Sequence, residues 1–228
     1  MSRFRTLSIA ALAASYLCLA GQAARAGTLT YTGQTRAIVA HAFTKTDQTA
    51  SAADFGPFNA SVSNANASGT NGSASQVSQL TPTGVTMSGY LSGTTRDGYG
   101  PYGYGQSRLE AYFTLDAASP YAINAAFTGG LISVGSSYSC SLTDVSTNTS
   151  VFASSGPSAS PFIPPLPHAG TLPAGSYRLN FFAVHQPYNG NLDSYGSYTA
   201  SFALTPEPAS LSLFAVAGVG LLARRRSN

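Results

Sequence analysis

Ser197-Tyr198-Thr199-Ala200-Ser201-Phe202-Ala203-Leu204 decides the fold. Tyr198, Ala200, Phe202 and Leu204 form an apolar row, and Ser197, Thr199 and Ser201 form a hydroxyl row between them. A period of two fits an extended strand with one buried face and one wet face, and no helix. The same period recurs upstream. Leu109, Ala111, Phe113 and Leu115 alternate with Arg108, Glu110, Tyr112 and Thr114, while Tyr121, Ile123, Ala125 and Phe127 alternate with Ala122, Asn124 and Ala126. Tyr138, Cys140 and Leu142 alternate with Ser137, Ser139, Ser141 and Thr143, which makes Cys140 a small buried hydrophobe rather than a nucleophile or metal ligand. Further strands are predicted over 35–43, 58–64, 84–91 and 177–185, the last launched by a turn at Leu172-Pro173-Ala174-Gly175-Ser176-Tyr177. No amphipathic helical pattern interrupts them. Many short strands between Gly, Pro, Asn and Ser turns predict an all-β, antiparallel two-sheet sandwich, jelly-roll-like.

Three segments are less regular. Residues 63–78 are nearly all Ser, Ala, Asn, Gly and Thr, and read either as a polar hairpin closed at Asn71-Gly72 or as a solvated loop. Residues 98–105 (Gly-Tyr-Gly-Pro-Tyr-Gly-Tyr-Gly) read as a loop projecting Tyr99, Tyr102 and Tyr104. Residues 156–167 are proline-rich and read as an extended crossing between strands.

The two ends of the chain differ from this body. Arg3 and Arg5 precede an apolar run over 7–20, and Ala24-Arg25-Ala26 supplies the small residues of an A-x-A cleavage site. Residues 1–26 are therefore expected to be a signal peptide, with a mature chain from Gly27. Cys18 lacks the small preceding residues of a lipoprotein site, since Tyr16 and Leu17 stand there. At the other end, Pro206-Glu207-Pro208 is followed by an uncharged stretch over 209–223 and then Arg224-Arg225-Arg226. As a helix that stretch would be roughly 22 Å long against a hydrocarbon core of about 30 Å. A short transmembrane helix is expected, with arginines that stay on the cytoplasmic side and prolines that keep the preceding chain extended; an ordinary buried terminal helix is the alternative, disfavoured by three consecutive arginines at its end.

The triad, apolar segment and basic cluster, in that order, resemble the PEP-CTERM sorting signal of Gram-negative surface proteins. The resemblance implies that residues 206–228 are recognised by exosortase, a membrane-embedded transpeptidase-like enzyme, and removed near Pro206-Glu207-Pro208. Those residues then belong to a substrate, not to an active site. It also implies export across the inner membrane, transient anchoring by the C-terminus, and a final place at the cell surface or in an extracellular matrix, with exopolysaccharide and biofilm as the usual setting. The second half of the body, residues 27–205 overall, loosely resembles β-sandwich modules of secreted bacterial proteins, a likeness that implies no function.

Charge narrows the choices. The whole chain carries 11 Lys and Arg against 8 Asp and Glu, but six of the cations sit in the two ends. Five cations and seven acids remain over 27–205, a net charge of about −2. Nucleic-acid binding loses its support, because tracking phosphates needs clustered cations. Charged residues make up 8% of the chain, where about 25% is usual. Solubility must come from Ser, Thr, Asn and Gly, a composition suited to an extracellular layer rich in carbohydrate and equally to a plain scaffold. Cys140 is the one cysteine of the mature body, so no internal disulfide is available.

Little here reads as catalysis, and no catalytic residue is assigned. Glu110, the one Glu before the sorting triad, lies between Arg108 and Tyr112 on the expected wet face, where a surface cross-strand ion pair accounts for it. The aspartates fall mostly in turns. His41, His168 and His185 share no metal-ligand spacing, and His185 falls on the core row of its strand. Asn189-Gly190-Asn191-Leu192-Asp193 is the one oxygen-rich loop with a hint of calcium chemistry, its ligands being Asn189, Asn191 and Asp193, and an Asn-Gly turn is the alternative. Asn-x-Ser/Thr sequences at Asn59, Asn66, Asn71 and Asn148 follow from serine richness. Tyr99, Tyr102 and Tyr104 are the better binding candidates, because a phenol ring stacks on a sugar while its hydroxyl bonds the sugar edge. The first expectation is a non-enzymatic surface or matrix protein without a cofactor. The alternative is a carbohydrate-binding module on the same sandwich, with calcium as a stabilising ion.

Overall fold

The computed structural model describes residues 27–95, 102–130, 136–157, 168–187 and 193–205. Gly27–Leu204 form one compact unit. Its strands are β1 (Leu29–His41), β2 (Gln48–Ser51), β3 (Phe58–Ala65), β4 (Asn71–Thr81), β5 (Gly84–Thr94) and β6 (Tyr104–Leu115). They continue as β7 (Ser119–Gly130), β8 (Ser137–Asp144), β9 (Thr149–Pro157), β10 (His168–Leu172), β11 (Gly175–His185) and β12 (Asp193–Leu204). Two six-stranded sheets result, ordered β2-β1-β6-β11-β8-β9 and β10-β7-β12-β5-β4-β3, and every pairing is antiparallel. The all-β sandwich is as the alternation predicts.

The core is the inward row of each strand. Leu109, Ala111, Phe113 and Leu115 of β6 meet Val85, Met87 and Leu91 of β5 and Phe202 of β12, all buried. Phe113 links the sheets, with ring centroids 5.4 Å from Phe202 and 5.7 Å from Tyr177. β1 packs against β3 and β4, β6 against β4 and β5, and β11 against β5 and β12.

Residues 63–78 lie in a hairpin of β3 and β4, as one of the two readings expects, but its turn is displaced. Asn71-Gly72 opens β4 instead of turning a hairpin, and the turn lies at 66–70, where the Asn66 side chain accepts from the Thr70 amide. Gly72 is needed there, because a Cβ would run into the backbone oxygens of His41 and Tyr104 in the other sheet. The strand is hard to see in sequence because its inward row, Gly72, Ala74, Gln76 and Ser78, is small or polar. Gln76 is buried and satisfied: its amide donates to Ser78 Oγ at 3.0 Å, and its carbonyl accepts from Ser107 Oγ at 3.0 Å. Arg36 joins the same polar seam. It projects inward from β1 and is 1% exposed. Its guanidinium donates to the carbonyls of Ser78 and Asp54 and to Gln34, and lies 5.8 Å from the Phe58 ring centroid. Burial pulls its pKa down, opposed by the nearby Asp54 carboxylate.

Candidate functional site

The last residue of β1 and the first of β6, His41 and Tyr104, are register partners. Alternation turns both side chains away from the core, and their rings stack at 4.7 Å with planes 16° apart. Tyr102 extends the shelf, its ring 6.1 Å from His41 and 6.5 Å from Tyr104, and it is 39% exposed. Asp47 orients the imidazole through a 2.6 Å contact to Nδ1. Burial, then the neighbouring Asp47 carboxylate and Tyr102, push the Tyr104 pKa up, so its hydroxyl stays a neutral hydrogen-bonding group.

The structure therefore revises the tyrosine loop. Tyr104 and Gly105 belong to β6, because they continue the ladder with His41 and Ala40. Tyr102 forms an isolated bridge with Thr95, and the Gly103 amide donates to the Thr94 carbonyl at 2.8 Å. Tyr99 lies outside the described residues. So do Asn189 and Asn191 of the expected calcium loop, whereas Asp193 opens β12 opposite Thr94. Among the described residues no group of three His, Cys, Asp or Glu side chains is placed to hold a metal ion.

The remaining polar candidates are engaged singly. Glu110 accepts from Arg108 and, at 2.8 Å, from the Tyr112 hydroxyl. This ion pair runs along one strand rather than across two, since Arg108 and Glu110 are separated by two residues on the same face. Glu110 is also largely covered, being 9% exposed, where a wet surface was expected. Asp54 and Asp144 cap their own turns through the amides of Gly56 and Ser146, and Asp116 accepts from Thr28. His185 is buried between two hydroxyls, with Ser136 Oγ at 2.9 Å from Nδ1 and Ser194 Oγ against Nε2, and burial drives its pKa down to about 4. His168 stacks on Phe152 at 4.5 Å and bonds the Tyr121 hydroxyl at 3.0 Å. Cys140 is buried as expected, and burial pushes its thiol up to about 12, far from a reactive thiolate. It lines an apolar pocket of about 380 Å³, open mouth included, between Met87, Phe127, Tyr138, Phe181 and Ala183. No carboxylate or imidazole lines that pocket.

One aromatic pair was not legible in sequence. Tyr90 of β5 and Tyr195 of β12 stack at 6.2 Å with planes 21° apart, and both are exposed. Each is readable as an outward residue, but their adjacency depends on the β5–β12 register, in which Tyr195 pairs with Ser92 and Tyr90 with Ser197.

Gly27 and Leu204 bound the unit at the end opposite His41 and Tyr104. The Gly27 amide donates to the buried Ser119 Oγ, and the amides of Leu29 and Leu204 each donate at 2.8 Å to the turn between β4 and β5, at Pro82 and Thr83. The expected signal peptide with Ala24 and Ala26, the triad Pro206, Glu207 and Pro208, the transmembrane helix, and Arg224, Arg225 and Arg226 lie outside the described residues.

Residues 204–226 match the PEP-CTERM protein-sorting motif. The chain thus carries the mark of an exported protein processed at the membrane by exosortase. No curated protein matches it. Among solved structures, similarity is found to the infectious bursal disease virus Gx strain, at 10% identity over 81% of this chain and 57% of that chain, with a TM-score of 0.28. The Gt strain of the same virus is similar at 8% identity over 82% and 68% of the two chains (TM-score 0.22). The virus's VP2 subviral particle is similar at 10% identity over 90% and 74% (TM-score 0.20). The chain spans little more than half the length of the first of these, and TM-scores this low do not establish a common fold.

Proposed function

We propose that the protein is a non-enzymatic component of the cell surface or extracellular matrix, carried across the inner membrane, held there by its tail, trimmed by exosortase and left in contact with exopolysaccharide. The observation that carries this reading is the sorting motif at 204–226. The body supports it. Asp54 and Asp144 serve turns, Asp116 a strand end and Glu110 an ion pair, the pocket is apolar, and Asp47 orients the His41 ring against Tyr104. No metal belongs to this reading: a chelator should leave the melting temperature unchanged, and a calcium-dependent rise abolished by Asp193→Ala would instead place an ion at 189–193. Deleting exosortase in the native host tests the sorting step. The chain should then stay membrane-bound with residues 206–228 attached.

The stacked shelf of His41, Tyr102 and Tyr104 favours a second reading, a carbohydrate-binding module. Its rings are held by a strand ladder and by Asp47, so little conformational freedom is lost on stacking against a sugar. Affinity electrophoresis through purified exopolysaccharide tests it, with Tyr102→Ala/Tyr104→Ala expected to abolish the retardation.

A further inference from the structure

The two sheets have different outer faces. Among the strands of the first sheet, Arg108, Glu110 and Arg178 sit on β6 and β11, pointing outward. The strands of the second sheet contain one formally charged residue, Asp193, and it stands at the rim where β12 begins. The rest of that outer face is hydroxyl, amide and small apolar groups. It is also ordered by its own bonds: Ser73 Oγ meets Ser92 Oγ at 2.6 Å, Thr128 Oγ1 meets Ser197 Oγ at 2.6 Å, and the Tyr90 amide donates to Ser75 Oγ at 3.1 Å. The Tyr90–Tyr195 stack stands on the two central strands of this sheet, towards the end where β12 begins, 43% and 49% exposed.

We infer that this face, centred on Tyr90 and Tyr195, binds an uncharged polysaccharide. The inference rests on the reading above that the body meets polysaccharide, and adds a site and a ligand class to it. Charge selects the class. A polyuronate or a sulfated glycan needs cations, and the strands of this face supply none. A neutral chain offers C–H faces to the phenol rings and hydroxyl edges to the flanking Ser and Thr. Tyrosine does this at low conformational cost, having two side-chain torsions. A second protein or a second copy fits less well, because stable protein interfaces need a desolvated apolar centre. Here, among the described residues, the other exposed large apolar side chain is Val77, on β4, and the polar residues Ser75 and Gln79 flank it along the strand, with Ser88 and Asn59 across the sheet.

Tyr90→Thr/Tyr195→Thr keeps strand propensity while removing both rings. The full chain, produced with both ends so that the host processes it, is run by affinity electrophoresis through a neutral β-glucan and, separately, through a polyuronate. Melting temperature and gel-filtration mass are recorded for each variant. The expected result is retardation by the neutral glycan alone, weakened roughly tenfold or more by Tyr90→Thr/Tyr195→Thr at unchanged melting temperature. Retardation that disappears only with Tyr102→Ala/Tyr104→Ala would overturn this face and leave the broader polysaccharide reading standing. Retardation by the polyuronate alone would overturn the ligand class. No retardation by either glycan would overturn both readings. Self-association removed by Tyr90→Thr/Tyr195→Thr, without glycan retardation, would assign the face to a second copy and overturn the proposal.

Discussion

Tyr198 of β12 stands directly opposite Gly89 of β5, and its ring occupies the space above that glycine. From there its hydroxyl reaches Ser107 Oγ of the facing sheet at 2.6 Å and the Ser75 carbonyl at 2.8 Å. One side chain thus covers a glycine and ties the two sheets through Ser107 to Gln76. A Cβ at position 89 would collide with the Ser75 carbonyl oxygen and the Tyr198 hydroxyl.

Gly89→Ala should therefore destabilise the sandwich by about 2 kcal/mol or more, since the obstacle is partly backbone and cannot rotate away. Chemical denaturation of the variant against the parent reads this directly. A loss under about 0.5 kcal/mol would mean that Tyr198 does not lie over Gly89.

Tyr198→Phe removes only the hydroxyl and should cost about 1–2 kcal/mol, because Ser107 is left in the interior with a weaker network. Ser107→Ala also strands the buried Gln76 carbonyl and should cost more, but its cost should be smaller in the Tyr198→Phe background than in the parent, so a double-mutant cycle should return a coupling energy clearly above zero.

These two residues also show what could be read in advance. Alternation alone puts Tyr198 on the inward row, and Phe113, Cys140 and Phe202 with it, because apolar side chains at a period of two have few other places to go. β4 is hard to read as a strand, since Gly72, Ala74, Gln76 and Ser78 hide its buried row behind small and polar groups. Gln76 and Arg36 are tolerated inside only because partners from distant parts of the chain satisfy them. β2, β9 and β10 are edge strands with mixed patterns and are likewise not legible. Of the candidate site, the tyrosines were visible as residue types. Their stacking on His41, and the Tyr90–Tyr195 pair, depend on register, which one strand's sequence does not contain.

His185 makes stability depend on pH. Burial holds its folded-state pKa near 4, below the ordinary 6.5, so between those values the unfolded chain binds a proton that the folded chain excludes. Its contribution is complete above about pH 6.5 and declines as pH falls towards 4, by up to about 3 kcal/mol. The denaturation midpoint should fall over that window. His185→Gln, which cannot titrate, should flatten the slope, and an equal slope in both proteins would assign the effect to other groups.

Where the exported chain ends decides most directly whether it is sorted and trimmed at the membrane. Intact-mass spectrometry of surface material should find a chain that begins at Gly27 and has lost the arginine tail, terminating near Pro206-Glu207-Pro208, with residues 206–228 restored when exosortase is deleted. An unprocessed chain of 228 residues, freely dissolved in the cytosol whether or not exosortase is present, would contradict it.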